Sequence, residues 1–175
     1  MTAKRSGAAM LIALCLAGAA TMAAAQDAEP VFSPALTEDC LAESLAAGFD
    51  PAECIGRAAE ACMNGSDIGG STVGMNLCIG AELGWWDTRL NAAYRVLMAQ
   101  NEATDAEMAE LGTSAPKMAP ALRDMQRAWI AFRDAACAYE VTWWGGGTGG
   151  GPAWNGCMMD LTARQTLRLE AGMER

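Results

Sequence analysis

Cysteine is the reactive residue type of this chain, because its 175 residues include seven cysteines and no histidine. Cys15 lies in an apolar run near the N-terminus, and an even set follows it: Cys40, Cys54, Cys62, Cys78, Cys137 and Cys157. No Cys-x-x-Cys pair occurs and histidine is missing, so the pattern favours neither a zinc site nor a redox-active dithiol. In an oxidising compartment an even set predicts disulfide bonds instead.

The pairing of these cysteines does not follow from their number, because six cysteines can combine in many ways. Short spans between neighbouring helix ends are the easiest to close. We therefore expect pairing in chain order: Cys40 with Cys54, Cys62 with Cys78, and Cys137 with Cys157. Each bond should stabilise the fold by about 3 kcal/mol, because it restricts the unfolded chain.

Residues that could perform catalysis are few in this chain. Neither a Ser-His-Asp nor a Cys-His arrangement can form without histidine. A glycan hydrolase needs two carboxylates at a set separation, and among the 21 acidic residues Glu60, Glu82 and Asp87 are possible members of such a pair. Nothing in the sequence distinguishes them from solvated residues on helix faces. We therefore predict no catalytic residue, no metal or cofactor, and no enzymatic activity.

The N-terminus has the three-part layout of a secretory signal peptide. Two basic residues precede an apolar run that is shorter than the roughly 20 residues of a membrane span, and small residues follow it. We expect residues 1–25 to be removed, residues 26–36 to form a flexible leader, and residues 37–175 to form a single disulfide-rich domain. The mature protein would be periplasmic or secreted, without membrane insertion.

The chain is strongly acidic, with 21 Asp and Glu residues against 12 Lys and Arg residues and a net charge of −9. Loss of Lys4 and Arg5 with the signal would leave ten basic residues and a net charge of −11. Nucleic acid is disfavoured as a partner, because phosphate binding requires Lys and Arg. The charge favours a cationic protein partner, although acidity alone also keeps an exported protein soluble.

Hydrophobic residues recur every three or four positions in two long segments, which is the periodicity of a buried helix face. The first stripe consists of Met75, Ile79, Leu83, Trp86, Leu90, Ala93 and Leu97. The second consists of Leu122, Met125, Trp129, Phe132, Ala136 and Tyr139. We expect a small all-α bundle, stapled by disulfides, whose core is these two long helices packed as an antiparallel pair. The aromatic members of both stripes should be buried there.

Turn signals divide the rest of the chain into shorter helices. A first is expected over residues 37–47, and Asp50 followed by Pro51 should start a second one that carries two cysteines. Residues 104–107 resemble a capping box and predict a short helix between the two long ones. The glycine-rich segment at residues 143–154 predicts a flexible connection to a weaker final helix.

Polar residues accompany the two stripes at helical spacing. Asp87, Asn91 and Arg95 recur at every fourth position of the first long helix. Gln126 and Arg133 flank a tryptophan on the second. Polar groups persist at a helix interface only when they are paired, so we expect a network that fixes the register of the two helices.

Each long helix also carries a sequence motif. The first is Leu90-Asn91-x-x-Tyr94, preceded by Trp86-Asp87. The second is Gln126-Arg127-x-Trp129-x-x-Phe132-Arg133-Asp134-x-x-Cys137. Together, over residues 62–157, they resemble the LprI-type lysozyme inhibitor domain family. The resemblance implies a small exported bacterial helical domain with disulfides, and it implies inhibition of lysozyme. Cys40, Cys54 and the glycine-rich segment are not part of the resemblance.

The sequence thus predicts an exported binding protein that inhibits a lysozyme-type muramidase by occluding its cleft, with acidic residues steering a cationic enzyme. Two segments could supply the occluding surface: the acidic cluster Glu102, Asp105, Glu107 and Glu110, and the aromatic segment with Trp143, Trp144 and Trp154. Two alternatives stay open, a periplasmic scaffold or envelope-stress protein that inhibits nothing, and, with less support, a hydrolase of cell-wall glycan.

Overall fold

The chain folds into helices joined by turns, as seen in a computed structural model that describes residues 29–174. These residues contain no β-strand, and they form α1 (Ala35–Ala47), a short 3-10 helix (Pro51–Cys54), α2 (Arg57–Asn64), α3 (Thr72–Glu110), α4 (Met118–Thr142) and α5 (Gly150–Met173). The predicted all-α fold class is therefore confirmed. The predicted signal peptide, residues 1–25, lies outside the described residues.

Glycine and aspartate set the boundaries of the N-terminal helices. α1 ends at Gly48, whose φ of 75° lies in the left-handed region that glycine adopts without strain. Asp50 accepts a hydrogen bond from the backbone N–H of Ala52 at 2.9 Å, as expected for a cap. The helix that it caps is a single 3-10 turn, and Gly56, with φ of 91°, separates this turn from α2. The one helix predicted after Asp50 is thus divided in two.

α3 is a continuous helix of 39 residues and is therefore about 58 Å long. The hydroxyl of Ser71 caps its N-terminus by accepting from the N–H of Gly74 at 3.0 Å. The prediction of a separate short helix at residues 104–107 is wrong, because α3 runs through that segment. Thr104 donates its hydroxyl to the carbonyl of Gln100 at 3.1 Å, within the helix, instead of starting a new one.

α5 is the main packing partner of both other long helices. It runs parallel to α3: Asn155 donates to the Asn76 side chain at 3.1 Å near the start of both helices, and Arg89 donates to Glu170 at 2.6 and 3.2 Å farther along. α4 runs antiparallel to them. The predicted pair, α3 and α4, is in contact, but each of the two packs more extensively against α5. The helix that the sequence predicts to be weaker therefore completes the core.

Three disulfides join neighbouring elements of the fold. They connect Cys40 with Cys54, Cys62 with Cys78, and Cys137 with Cys157, so the pairing expected from the short spans is confirmed. The first ties α1 to the 3-10 helix, the second ties α2 to α3, and the third ties α4 to α5. The first bond therefore joins two short N-terminal elements, and each of the other two involves at least one of the long helices.

The aromatic residues of the two predicted stripes differ in burial. Trp86 is completely buried and Trp129 is half-buried, but Phe132 and Tyr139 are 60% and 63% exposed, so their predicted place in the core is wrong. The stripe on α4 repeats every 3.5 residues, and a straight α-helix drifts by about 20° per heptad relative to such a repeat. The stripe therefore turns toward solvent along α4, while the buried side of the helix is lined by Ala119, Leu122, Gln126 and Cys137.

The glycine-rich segment is partly helical. α5 begins at Gly150, so the connection after α4 is confined to residues 143–149. The ring of Trp144 covers Gly149, where any side chain would collide with it. Pro152 lies in the first turn of α5, where its missing N–H has no helical partner to lose. The flexible connection predicted over residues 143–154 is thus shorter than expected.

Candidate functional site

α3 and α4 extend beyond the end of α5 and form a two-helix projection. Gly172, near the end of α5, lies so close to Leu97 that a Cβ there would be 3.1 Å from the leucine side chain. The part of α3 from residue 98 to residue 110 therefore projects by about 20 Å. We call residues 98–118, which include the connection between the two helices, the hairpin tip. It is a narrow, convex feature of the molecule.

Asp105 holds the two helices of the hairpin tip together. Its carboxylate accepts hydrogen bonds from the backbone N–H of Met118 at 2.7 Å and of Ala119 at 3.0 Å, at the start of α4. These two bonds, the one from Met118 most strongly, lower the pKa of Asp105 below its usual value. Asp105 therefore acts as a cap for α4, so that, of the predicted acidic cluster, this residue is already engaged within the protein.

The other three acidic residues of the predicted cluster, Glu102, Glu107 and Glu110, are exposed on the hairpin tip. Three large apolar side chains accompany them, since Leu111 is 74% exposed, Met118 is 48% exposed and Met108 is 40% exposed. The hairpin tip thus presents a net negative charge, with four acidic residues against Lys117, around a small apolar summit. This combination suits a partner that offers a concave surface with basic residues at its rim.

The predicted aromatic segment lies at the other end of α4. Trp143 is 72% exposed and packs edge-to-face on Tyr139, with ring centroids 5.9 Å apart, and Trp144 is 49% exposed. Trp154 is half-buried on α5. Because α4 has 25 residues, about 37 Å separates this segment from the hairpin tip. The acidic cluster and the aromatic segment, which were the two candidate binding surfaces, therefore lie at opposite ends of α4.

The two sequence motifs meet in a groove between α3 and α4, which we call the motif groove. Its volume is about 470 Å³, within the usual range of ligand pockets. The side chains that line it come from both motifs and from the turns beside them: Asp87, Leu90, Asn91, Tyr94, Arg123, Gln126, Arg127, Trp129, Ile130 and Arg133. The structure thus brings most of the motif residues together, although Trp86 lies in the core and Phe132 faces solvent.

The polar motif residues do not connect α3 to α4 through hydrogen bonds among the described residues. Asn91 donates its amide to the carboxylate of Asp87 at 3.0 Å, within α3. Arg133 donates to the neighbouring Asp134 at 2.8 Å and covers the ring of Trp129, with its guanidinium carbon 5.0 Å from the ring centroid. The buried Gln126 accepts from Gln165 of α5 at 2.9 Å. The predicted network between α3 and α4 is therefore wrong, and the exposed Arg95 takes no part in one.

A buried carboxyl group, that of Glu82, has a structural role that sequence reasoning missed. It is fully buried and accepts hydrogen bonds from the backbone N–H of Ala59 at 2.6 Å and of Gly56 at 2.8 Å, at the N-terminus of α2. The hydroxyl of Thr37 and the indole of Trp86 donate to it at 3.2 and 3.1 Å. Glu82 therefore fastens α1 and α2 to α3.

The three carboxylates that could have formed a glycan-cleaving pair are not brought together at one surface. Glu82 is inside the protein, and Glu60 lies on α2 beside a different depression. Among the residues that line the motif groove, Asp87 is the one carboxylate. Cleavage of a glycosidic bond by the usual route needs two. The described surface therefore offers no support for the hydrolase alternative at these residues.

Two further properties bear on the site. Within residues 29–174, no group of three or more Cys, Asp or Glu side chains is placed to hold a metal ion. None of the helices in that part of the chain combines the length and apolarity needed to cross a membrane.

Comparison with known proteins matches the chain to one family model. The model described as "Lysozyme inhibitor LprI" matches residues 62–169. An uncharacterised protein of Rhizobium meliloti (strain 1021) is 32% identical over 104 residues, which cover 59% of this chain and 75% of that protein. An uncharacterised 17.7 kDa protein from the puhA 5' region of Rhodobacter capsulatus is 29% identical over 139 residues, 77% of this chain and 83% of that protein. No solved structure gives a significant match.

Proposed function

Because this chain belongs to the LprI family of lysozyme inhibitors, we propose that it is an exported protein that binds a lysozyme-type muramidase and blocks the enzyme's cleft. The three disulfides support export, since such bonds persist in oxidising compartments. The protein acts in this proposal as a binding protein without catalytic activity of its own.

The observation that carries the proposal is the hairpin tip. A muramidase cleft is concave, and the part of this molecule with the complementary shape is the two-helix projection that ends at Leu111. Shape complementarity at that point would exclude substrate from the cleft, and the exposed Leu111 and Met108 supply apolar area for the contact. Because Asp105 bonds α4 to α3 near the end of the projection, the tip is preorganised and less entropy is lost on binding.

Charge supports the same surface. The chain has a net charge of −9, and Glu102, Glu107 and Glu110 place negative charge around the tip. A basic muramidase would be steered toward them, which raises the association rate in a way that fades as salt shortens the Debye length from about 10 Å at 0.1 M to about 3 Å at 1 M. Charge alone would give weak, non-specific adhesion, so inhibition depends on the tip as well.

The test is a comparison of two triple variants that remove the same charge from different places. Glu102→Gln, Glu107→Gln and Glu110→Gln neutralise the tip but spare the capping residue Asp105. Glu38→Gln, Glu43→Gln and Glu60→Gln neutralise exposed residues of α1 and α2. We expect the tip variant to need about ten times more protein for half-inhibition of lysis, equivalent to about 1.4 kcal/mol, and the control variant to behave like the wild type. Equal effects of the two variants would show that net charge, and not the tip, determines inhibition.

A second candidate function is favoured by exposed aromatic residues on α4 and directly after it. Phe132, Tyr139 and Trp143 are separated by seven and four residues, so they lie on one side of the helix, where each is at least 60% exposed. Exposed aromatic side chains often anchor protein partners. A scaffold that binds another exported protein through this side would leave muramidase activity unchanged, and Trp143→Ser would release its partner without affecting lysis.

A further inference from the structure

The motif groove offers uncommitted cationic groups on an otherwise acidic protein. Arg123 makes no hydrogen bond or ion pair with any described residue, and Arg127 reaches only Asp124, at 3.9 Å between two well-exposed side chains. An exposed pair at that distance is worth little. Since residues 123 and 127 are four apart, the two guanidinium groups lie on one side of α4. Guanidinium groups of this kind bind carboxylates through paired hydrogen bonds.

The opposite wall of the motif groove offers hydrogen-bond acceptors. The side-chain amide N–H groups of Asn91 both donate to Asp87, to its backbone carbonyl at 2.8 Å and to its carboxylate at 3.0 Å. This leaves the amide oxygen of Asn91 and the second carboxylate oxygen of Asp87 to accept from a ligand. Hydroxyl groups are the donors that such a pair of acceptors suits. The groove therefore combines donors for a carboxylate with acceptors for hydroxyls.

Aromatic rings line the same groove as these polar groups. Trp129 and Tyr94 line the motif groove, and both are half-buried. Arg133 lies over the ring of Trp129 and so fixes its orientation. Half-buried rings with polar groups nearby bind ligands that have one apolar face and a polar edge, as a sugar ring has. A peptide carboxylate would use the arginines but not the hydroxyl acceptors, and a neutral sugar would leave the arginines unused.

We propose that the motif groove binds a carboxylate-bearing sugar, with the sugar ring beside Trp129, the hydroxyls on Asp87 and Asn91, and the carboxylate on Arg123 and Arg127. The sugar is bound and not cleaved, because Asp87 is the one carboxylate among the groove-lining residues and the usual cleavage route needs two. This activity is separate from occlusion of an enzyme by the hairpin tip, and either could exist without the other.

The test uses N-acetylmuramic acid and N-acetylglucosamine, which differ by one lactyl group that carries a carboxylate. Each is titrated into the full oxidised protein while the indole N–H resonance of Trp129 is followed by NMR, with that of Trp144 as an internal control. We expect N-acetylmuramic acid to shift the Trp129 resonance and to bind at least ten times more tightly than N-acetylglucosamine. The Trp144 resonance should not move.

Variants of the arginines test where the carboxylate of the sugar binds. Arg123→Gln with Arg127→Gln should abolish the preference for the acidic sugar, while Arg168→Gln, which removes an exposed arginine of α5 outside the groove, should preserve it. Arg123 and Arg127 are both exposed, so circular dichroism should confirm that the double variant folds. Equal binding of the two sugars, no binding of either, or a preference that survives the double variant would overturn the proposal. Tighter binding of a short acidic peptide than of the acidic sugar would overturn it in favour of a peptide site.

Discussion

The indole N–H of Trp86 donates to the carboxyl group of Glu82 at 3.1 Å, and both side chains are completely buried. The two residues are one helical turn apart on α3. Since the same carboxyl group also accepts from the N-terminus of α2 and from Thr37 of α1, it connects three helices at one point. The Cys62–Cys78 disulfide holds α2 against α3 nearby.

Replacement of Glu82 by glutamine should destabilise the protein. An amide keeps the size of the side chain but turns one acceptor oxygen into a donor, which then faces backbone or indole N–H groups. Glu82→Gln is expected to lower the free energy of unfolding by about 2 kcal/mol or more, because buried donors lose their partner. Urea denaturation measures this, with the exposed Glu102→Gln as a control expected to change stability by less than about 0.5 kcal/mol. Equal changes in the free energy of unfolding for the two variants would show that the buried carboxyl group does not stabilise the fold.

The burial of Glu82 could have been predicted from the sequence, but its structural role could not. The residue lies four positions before Trp86 and eight before Leu90, which places it on the buried side of α3, and this was the available signal. A glutamate on a long helix is nevertheless normally expected to be exposed to solvent. Its partners come from α1 and from the start of α2, so they depend on how those short helices return to α3, which no local pattern specifies.

Substitution of Trp86 should destabilise the protein more than substitution of Phe132, because the two residues differ in burial although both belong to predicted stripes. Trp86→Ala removes a completely buried side chain and should cost about 3 to 5 kcal/mol. Phe132→Ala removes a side chain that is 60% exposed and should cost less than about 1 kcal/mol. Denaturation midpoints of the two variants, with unchanged dependence on denaturant, test this. A cost of several kcal/mol for Phe132→Ala would mean that α4 presents a different side to the core.

The α4 residues also show what the sequence can and cannot predict. Helix existence, the cap at Asp50 and the disulfide pairing followed from local patterns and short spans. The side of α4 that is buried did not follow from the sequence. Two helices with apolar stripes can pack in several relative rotations, and contact with α5 determines which side of α4 faces the core. The stripe on α5 was inconspicuous, since three of its buried residues, Thr162, Gln165 and Thr166, are polar.

The oxidised state predicts a specific result for the purified exported protein. Peptide mapping without reduction should give three linked pairs, with no free thiol and with Gln26 at the N-terminus. Removing the bond between α4 and α5 by Cys137→Ala with Cys157→Ala should lower stability by about 3 kcal/mol, because the unfolded chain is no longer restricted. Thiols that react with an alkylating reagent in the native exported protein would contradict the disulfide assignment.

The cap at Asp105 predicts a dependence of stability on pH. Its pKa is lowered by the hydrogen bonds from Met118 and Ala119, so its stabilising effect is complete above the unfolded pKa of about 3.9 and is lost as pH falls through the lower folded value. Asp105→Ala should therefore reduce the melting temperature at pH 7, and the difference from wild type should shrink below about pH 4.

A matched control for this cap is Asp124→Ala. Asp124 is an exposed aspartate of α4 whose ion-pair partner, Arg127, is 3.9 Å away. Its replacement should change the melting temperature little at any pH, because such exposed pairs contribute little. A constant difference between wild type and Asp105→Ala from pH 7 to pH 3 would show that the carboxylate charge does not contribute to the cap.

The most direct test of the proposed function is the rate at which a basic muramidase clears a cell-wall suspension at low salt, with and without the folded, oxidised protein. We expect lysis to slow as the protein is added, and the effect to weaken as salt approaches 1 M, where the Debye length is about 3 Å. If lysis by both animal and bacterial muramidases is unchanged at low salt, the inhibitor proposal is contradicted and the scaffold takes its place.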